Sequence, residues 1–251
     1  MQAACAIGLP VCTGSPPPGV SSQVRLHTEL HLKNKPRATA VNLATATDKE
    51  GFPASAAWEQ APAERFCADW QGKNPDSGRE TRVQLLWSRE CLYFRFQCRF
   101  REVSVFPDAA PNGRRDKLWD RDVVEVFLQS DPSKPLHYLE FEVSPNGQWI
   151  DLAIDRTNVP HDLSDLKSGL KRRVYLDEAR KMWTAELAIP MKSLAKRFDP
   201  GATWGVNFYR VEGKSEPRFY SAWSPTNTSV PNFHVPEAFG ELVFVPGAAR
   251  S

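Results

Sequence analysis

Alternation of apolar and polar residues is the dominant pattern of this chain, and it has a period of two. In the segment 92–100, Leu, Phe, Phe, Cys and Phe fill the even positions, and Tyr, Arg, Gln and Arg fill the odd ones. Such alternation predicts a strand with one buried face, because successive side chains point to opposite sides of a sheet. Cys98 then lies inward, where a free thiol packs as an inert apolar group. Similar patterns mark segments 81–87, 123–128, 138–143, 149–154, 182–189, 204–210, 219–223 and 241–245.

The turns between these eight or nine short strands indicate antiparallel pairing. Ser-Pro-Asn-Gly at 144–147 predicts a hairpin between the strands of Phe141 and Trp149, because Asn-Gly favours a tight turn. The only helices that the pattern predicts are short, at 53–61, 163–169 and 191–196, too few to cover a parallel sheet. The predicted fold is therefore all-β, a two-sheet antiparallel β-sandwich of the immunoglobulin or jelly-roll kind, with long loops.

The 251 residues accommodate one such sandwich, and 41% hydrophobic residues are enough to build its core. Segment 13–22 is rich in Pro, Ser and Gly and is typical of a flexible leader. We therefore expect a leader over 1–37 and a single β-sandwich domain over 38–247.

Composition and charge narrow the classes of function. A formal charge of +2 lacks the clustered excess of Lys and Arg that nucleic-acid binding requires. Five cysteines form no CxxC pair, and five histidines form no HExxH motif. No run of 18 apolar residues is present, so no membrane span is predicted. We expect a monomer that binds no nucleic acid and does not span a membrane.

The first residues of the chain do not resemble an export signal. Residues 1–24 contain no charged side chain, whereas a signal peptide begins with a basic segment followed by a longer apolar run. The sequence as it stands therefore leaves the compartment unassigned. A start codon further upstream would place the protein outside the cytoplasm.

Three long connections, 101–121, 155–173 and 211–238, are the expected location of a binding site, because loops on a rigid sandwich carry most binding residues. Two of them hold a solitary aromatic residue among polar neighbours, Trp119 and Phe233. An aromatic plane beside fixed hydrogen-bonding groups is what a sugar ring requires, since a sugar has an apolar face and hydroxyl edges.

An ordered set of segments resembles carbohydrate-binding module family 9 and its relatives among the DOMON-type sandwiches. The resemblance covers most of residues 52–245. It is carried by Ala-Trp at 57–58, the segments 81–87 and 91–93, Leu-Trp-Asp-Arg-Asp-Val-Val-Glu-Val-Phe at 118–127, Tyr-Leu-Glu-Phe-Glu-Val at 138–143, Trp-Thr-Ala-Glu-Leu-Ala-Ile-Pro at 183–190, and the segments 204–208 and 233–240.

The resemblance implies a non-catalytic module that holds a saccharide between two aromatic side chains, in the setting of polysaccharide breakdown by glycoside hydrolases. Trp119 and Phe233 match the two aromatic positions, the second of which is Trp in better-known members. Glu125 matches a hydroxyl acceptor, and Glu142 stands where the family carries an arginine. The expected sugar-binding residues are Trp119, Glu125, Glu142, Arg210, Asn232, Phe233 and His234.

A cofactor is not expected. Calcium often supports folds of this kind, but the acidic turn that the resemblance implies is here Arg101-Glu102. Asp120 and Asp122 are candidate ligands for a hard cation, with a solvated strand end as the alternative.

Two other functions stay open at this stage. Glu140 and Glu142, two residues apart on one strand, approach the carboxyl spacing of glycoside hydrolases and predict hydrolysis of O-glycosyl bonds as the alternative activity. A haem-binding relative of the DOMON type is a third hypothesis; such relatives use Met and His as axial ligands, and Met182 and Met191 are the candidate methionines here, with ordinary packing as their alternative. Glu125 itself has two interpretations: a permanent ion pair with Arg210, or a hydrogen-bond acceptor for sugar hydroxyls beside Trp119.

Overall fold

The alternating segments form the strands of one curled sheet. The computed structural model describes residues 35–110, 113–157 and 162–247. Within them the strands are β1 (Arg37–Asn42), β2 (Ala63–Phe66), β3 (Thr81–Trp87), β4 (Cys91–Arg99), β5 (Val123–Gln129), β6 (His137–Val143), β7 (Trp149–Asp155), β8 (Asp162–Asp165), β9 (Lys171–Asp177), β10 (Met182–Pro190), β11 (Trp204–Glu212), β12 (Phe219–Ala222) and β13 (Gly240–Val245). The α-helix α1 covers Met191–Leu194, and short 3-10 helices cover Ser55–Gln60, Ser77–Arg79, Leu118–Asp120 and Pro236–Ala238.

Hydrogen bonding links the strands in the order β8-β7-β6-β5-β11-β13-β1-β3-β4-β10-β9, with β12 beside β11 and β2 beside β3. Almost every pair is antiparallel, including the hairpin that places Val143 opposite Trp149. Strand β1 is parallel to both of its neighbours, β13 and β3, and joins the two layers of the sandwich. The predicted all-β sandwich with a few short helices is confirmed, and the junction through β1 adds to it.

The main core lies between the two layers. Its buried members include Phe208 of β11 from one layer and Phe94 and Phe96 of β4 from the other. The Phe208 ring meets these two rings edge to face, with centroids 6.2 and 6.0 Å apart, a favourable geometry for aromatic pairs. Cys98 is fully buried in this core, as the alternation predicts.

A second apolar cluster covers the outer face of β5, β6, β7 and β11. It contains Phe127, Tyr138, Leu152 and Tyr209, all of which point away from the main core. The outer face of a solvated sandwich is normally polar, so an apolar outer face requires a cover of loops. That face supports the site described below.

Some predicted boundaries differ from the observed ones. The helix predicted at 163–169 is wrong, because Asp162–Asp165 forms the edge strand β8 along β7. Strands β1, β2 and β9 have no counterpart among the predicted segments. Strand β9 begins with Lys-Arg-Arg and lies at the sheet edge, where charged residues prevent further pairing and hide the alternation.

The leader predicted over 1–37 falls outside the described residues as far as residue 34, and β1 begins at Arg37. That division into leader and domain stays a prediction. Among the described helices, none has the length and apolar character needed to cross a membrane.

Arg210, predicted in the sugar site, points into the main core instead. It stands opposite Val124 in the β5–β11 register and is completely buried. Its guanidinium lies over the ring of Trp183 at 5.0 Å, and its Nη2 donates to Glu212 Oε2 at 2.9 Å. The alternative interpretation of Glu125, a permanent ion pair with Arg210, is therefore wrong, because Arg210 faces the main core with Val124 whereas Glu125 faces the outer side of the sheet.

The buried ion pair provides a test of the fold. Glu212→Gln removes the carboxylate that faces Arg210 and should lower the free energy of unfolding by about 3 kcal/mol, since a buried charge without its partner is costly. Urea unfolding measures this loss. Glu178→Gln is the matched control, because the exposed Glu178 pairs with Lys181 at the surface, where ion pairs contribute little. Equal stability of the two variants would contradict this role for the buried pair.

Candidate functional site

A cleft of about 250 Å³ opens on the outer face of β5, β6, β7 and β11. Alternate residues of these strands form its floor, and loops that follow or precede them form its rim. The floor consists of Glu125, Phe127, Glu140, Glu142, Leu152 and Val211. The rim consists of Trp119, Arg218, Tyr220, Pro231, Asn232, Phe233 and His234.

Three aromatic side chains line the rim. Trp119 lies on the 3-10 turn that leads into β5 and is half-buried. Phe233 stacks on the buried ring of Tyr209, with centroids 4.1 Å apart and planes 12° apart. Tyr220 of β12 meets Phe233 edge to face at 6.1 Å. The rings therefore present rigid apolar surface to the cleft.

Hydrogen bonds hold this rim in place. Arg218 Nη1 donates to the carbonyl of Trp119 at 2.7 Å, and Arg218 Nε donates to Glu216 Oε1 at 3.2 Å. Tyr209 Oη donates to the carbonyl of Phe233 at 3.0 Å. Burial raises the pKa of Tyr209 well above its usual value, so the hydroxyl keeps the proton that it donates. The Phe233 loop is thus tied to the sheet, and the Trp119 turn is tied to the segment that precedes β12, before any ligand arrives.

Asn232 and His234 lie beside Phe233 in the same loop. The backbone N–H of His234 donates to Asn232 Oδ1 at 3.0 Å, which fixes the amide orientation. Of the described residues, none accepts from the Asn232 amide nitrogen, so this donor is available to a ligand. The His234 ring bonds to Tyr138 Oη through Nδ1 at 2.8 Å, and its carbonyl accepts from Arg156.

Three carboxyl groups meet on the cleft floor. Glu125 of β5 is paired directly with Glu142 of β6, and Glu140 lies two residues from Glu142 on the same face. One oxygen from each can be chosen so that all three atoms lie within 4.8 Å of one another. The three residues are at most 3% exposed. Like charges directly across a strand pair destabilise a sheet, so this arrangement is one that packing alone would not produce.

Few protein groups satisfy these carboxyls. Within the described part of the chain, no N–H or hydroxyl donor reaches either oxygen of Glu142 or Oε2 of Glu140. The neighbouring carboxyls of Glu125 and Glu140 also repel a charge on Glu142. Groups buried without donors are costly when charged, so the cluster favours its protonated forms.

The pKa values of the cluster follow from this burial. Desolvation raises the pKa of Glu140 to about 7. Desolvation, with repulsion from the neighbouring carboxyls, raises the pKa values of Glu125 and Glu142 well above the usual range. Arg218 is the cation that opposes the shift at Glu125, but it is already engaged with Glu216 and the Trp119 carbonyl.

The two aspartates predicted as metal ligands have different positions. Asp122 is fully buried, and its two carboxylate oxygens accept backbone N–H groups from Ser104 at 3.0 Å and Gly213 at 2.6 Å, so it joins two loops. Asp120 lies near the cleft, where its charge raises the pKa of Glu142. In the described residues, the acidic group compact enough to bind one ion is the glutamate cluster.

Of the predicted site residues, the cleft brings together Trp119, Glu125, Glu142, Asn232, Phe233 and His234. Arg210 is excluded by its position in the core, and the sugar-binding roles of the others stay predictions. Sequence reasoning weighed Glu140 only as a catalytic group and missed Arg218 and Tyr220. The alternation in His-Tyr-Leu-Glu-Phe-Glu-Val does place Glu140 and Glu142 on one face, but the loop 211–238 has no periodicity that would single out Arg218.

Comparison with known proteins identifies the fold. The sequence profile of carbohydrate-binding family 9 matches residues 81–244, more than half of the chain. The chain belongs to carbohydrate-binding family 9. The match spans the strands β3 to β12 and ends within β13, and it contains every residue of the cleft.

The relatives that this chain matches in sequence are distant. An extracellular protein of Arthroderma benhamiae is 27% identical over 181 residues, which are 66% of this chain and 79% of the relative. The UPF0462 protein C4orf33 of Homo sapiens is 28% identical over 145 residues, which are 55% of this chain and 66% of the relative.

Solved structures of this fold are more distant still in sequence. A putative carbohydrate-binding protein from Bacteroides uniformis superposes with a TM-score of 0.65 at 16% identity, covering 84% of this chain and 100% of the other. A family 9 module from Caldicellulosiruptor kristjanssonii, in complex with cellotriose, superposes with a TM-score of 0.57 at 16% identity, covering 85% and 95%. At this identity the likeness concerns the fold alone.

The raised pKa values predict a pH dependence of stability. A folded-state pKa above the unfolded value of about 4.3 contributes stability that is complete below that pH and is lost as pH rises through the folded pKa. For this cluster, with Glu140 at about 7, the free energy of unfolding should fall between about pH 5 and pH 8. Exposed carboxylates with lowered pKa values, such as Asp48 and Asp155, act in the opposite direction only at more acidic pH.

Glu142→Gln tests this dependence, because the amide is neutral at every pH and has nearly the same shape. Chemical unfolding of this variant at a series of pH values should give a flatter profile than the parent chain, and a higher stability at about pH 8. A variant profile that declines as steeply as that of the parent would contradict a desolvated carboxyl at this position.

Proposed function

We propose that the cleft binds one sugar unit without catalysing its conversion, so that this chain is a carbohydrate-binding module. The observation that carries the proposal is the convergence of aromatic rings and hydrogen-bonding groups on one small cleft. Its volume of about 250 Å³ lies just below the usual range of ligand pockets and suits a single ring rather than a long segment.

The division of the cleft matches the two chemical sides of a sugar. Trp119 and Phe233 offer planes on which the apolar face of a sugar ring stacks. The Asn232 amide and the Glu125 carboxyl offer a donor and an acceptor for its hydroxyls. Phe233 presents less area than the indole that better-known family members carry, and Tyr220 adds surface beside it.

The relatives support this proposal. The Caldicellulosiruptor module of the same fold has been solved with cellotriose and also with glucose, the latter superposing with a TM-score of 0.57 over 86% of this chain. Such ligands fit a role for this chain in the breakdown of polysaccharides, with the catalytic step supplied by a glycoside hydrolase.

The hydrolase alternative is less favoured by the geometry. Retaining glycosidases place two carboxyls about 5 to 5.5 Å apart on either side of the scissile bond. Here three carboxyls lie together on one floor, project from adjacent strands and face the same way. They would all meet a substrate from one side. The haem alternative has less support, because Met191 is buried in the main core and away from the cleft.

Truncation of the rim aromatic tests the proposal. Trp119→Ala should leave the fold intact and weaken sugar binding roughly 5- to 150-fold, by analogy with the loss of one stacked nucleic-acid base. Calorimetric titration with glucose and cellotriose measures the change. The control is Tyr175→Ala, which removes an exposed aromatic of β9 that does not line the cleft. Unchanged affinity in the Trp119 variant would remove this residue from the site.

The absence of turnover is tested separately. The purified chain should release no product from aryl glycosides or oligosaccharides, because its carboxyls do not flank a bond, and it should show no Soret band. Chromatography of the incubated sugars measures the first point. Hydrolysis that disappears in Glu142→Gln but persists in Glu178→Gln would establish the hydrolase alternative and overturn the binding module.

A further inference from the structure

The glutamate cluster indicates more about the ligand than its size. We infer that the sugar unit preferred by this cleft carries a protonated amine, as the 2-amino sugar glucosamine does, and that the amine docks among Glu125, Glu140 and Glu142. This inference rests on the proposed function, since it specifies the ligand of the same cleft.

The three carboxyl groups converge on one point. Oxygens of the three carboxyls lie within 4.8 Å of one another, so one donor placed between them is in reach of all three. An alkylammonium group has three N–H donors and no acceptor. It is therefore the sugar substituent that can satisfy three converging carboxylates at once. A hydroxyl has a single hydrogen to donate.

Protein hydrogen-bond donors to these carboxyls are scarce among the described residues. Both oxygens of Glu142, which is completely buried, and Oε2 of Glu140 lack a hydrogen-bond partner within the described residues. Buried polar groups are nearly always bonded in folded proteins, and the exceptions call for a ligand or water. Glu142 also lines the cleft, so the missing donor can enter from there.

Acidic groups outnumber basic ones in the lining of the cleft. Three carboxyls and one guanidinium, that of Arg218, line the cleft, and the guanidinium already donates to Glu216 and to the Trp119 carbonyl. A neutral sugar leaves the protons on the cluster, whereas an ammonium stabilises the charged forms of the carboxyls that it contacts. Hydrogen bonds to charged groups contribute more to stability than neutral ones, so an ammonium gains where a hydroxyl does not.

Three carboxylates also suit a bare metal ion, but the rest of the cleft lining favours an amino sugar. The cluster occupies only part of the cleft, and the rest of the lining includes the aromatic and aliphatic side chains of Phe127, Leu152 and Trp119. Aromatic and aliphatic side chains cannot coordinate a hard cation, which binds oxygen ligands and water. A sugar ring can cover these apolar side chains while its ammonium reaches the carboxylates. Aromatic faces themselves also attract cations.

The experiment compares three sugars that differ only at carbon 2: methyl glycosides of glucose, glucosamine and N-acetylglucosamine. Titration calorimetry is run on the intact chain at about pH 7, where Glu140 is partly ionised in the free chain and an amine with a pKa of about 7.7 to 8.0, like that of an α-amino group, is still mostly protonated. The amine should bind about tenfold or more tightly than the hydroxyl compound, in line with a charge-assisted hydrogen bond. The acetylated compound should show no such gain, because its nitrogen is neutral.

Variants assign the preference to the cluster. Glu142→Gln and Glu140→Gln, each tested independently, should reduce the ratio of glucosamine affinity to glucose affinity about fivefold or more, because removal of one buried carboxylate lessens the attraction for the ammonium. Glu178→Gln, far from the cleft, should keep the parental preference. Circular dichroism confirms that each variant is folded.

The other outcomes are distinct. Equal affinity for glucose and glucosamine in the parent chain would overturn the amine inference and leave the sugar site standing. No binding of any sugar to the folded chain would overturn both. Binding that is lost with EDTA and restored by calcium would assign the cluster to a metal ion, and the amine inference would be wrong.

Discussion

Burial of three carboxyl groups on one strand pair is the constraint on which the rest of the structure depends. Glu125, Glu140 and Glu142 stand against one another on a floor that water hardly reaches. Charge in such a place is costly, so the cluster keeps protons that exposed glutamates lose. Local rules of sheet stability are broken here, and such violations concentrate at functional sites.

The main core compensates for this floor from the other side of the same strands. Val124 and Val126 of β5 and Phe141 of β6 alternate with the glutamates and fill the space between the two layers. One set of strands thus supplies a dense core with its inner residues and a ligand cleft with its outer ones. Because the inner face anchors these strands, the outer face can hold groups that destabilise the fold.

The sequence allowed the fold to be predicted where alternation is long. Segment 81–87 coincides with β3, and most other predicted strands agree with the observed ones to within two residues at each end. The edge strand β8 was mistaken for a helix, since four residues carry too little periodicity. Strand β1 is short, and its parallel pairing with two neighbours depends on contacts distant in the sequence.

The site was only partly predictable for a related reason. Trp119 and Phe233 stood out as isolated aromatics in long loops, and the family resemblance pointed to Glu125. Arg210 was misplaced because a one-residue shift along a strand reverses the face that a side chain joins, and register is not apparent from a single strand. Arg218 reaches the cleft through the path of its loop, which local sequence patterns do not encode.

The central claim is that desolvated glutamates form the surface against which the ligand binds. Carbon-13 NMR titration of the glutamate side-chain carboxyls, with and without a bound sugar, tests it most directly. The account predicts that the signals of Glu125, Glu140 and Glu142 titrate well above the ordinary value of about 4.3, and that these signals shift when the sugar binds. Ordinary titration of all glutamates, or sugar-induced shifts confined to carboxyls away from the cleft, would contradict it.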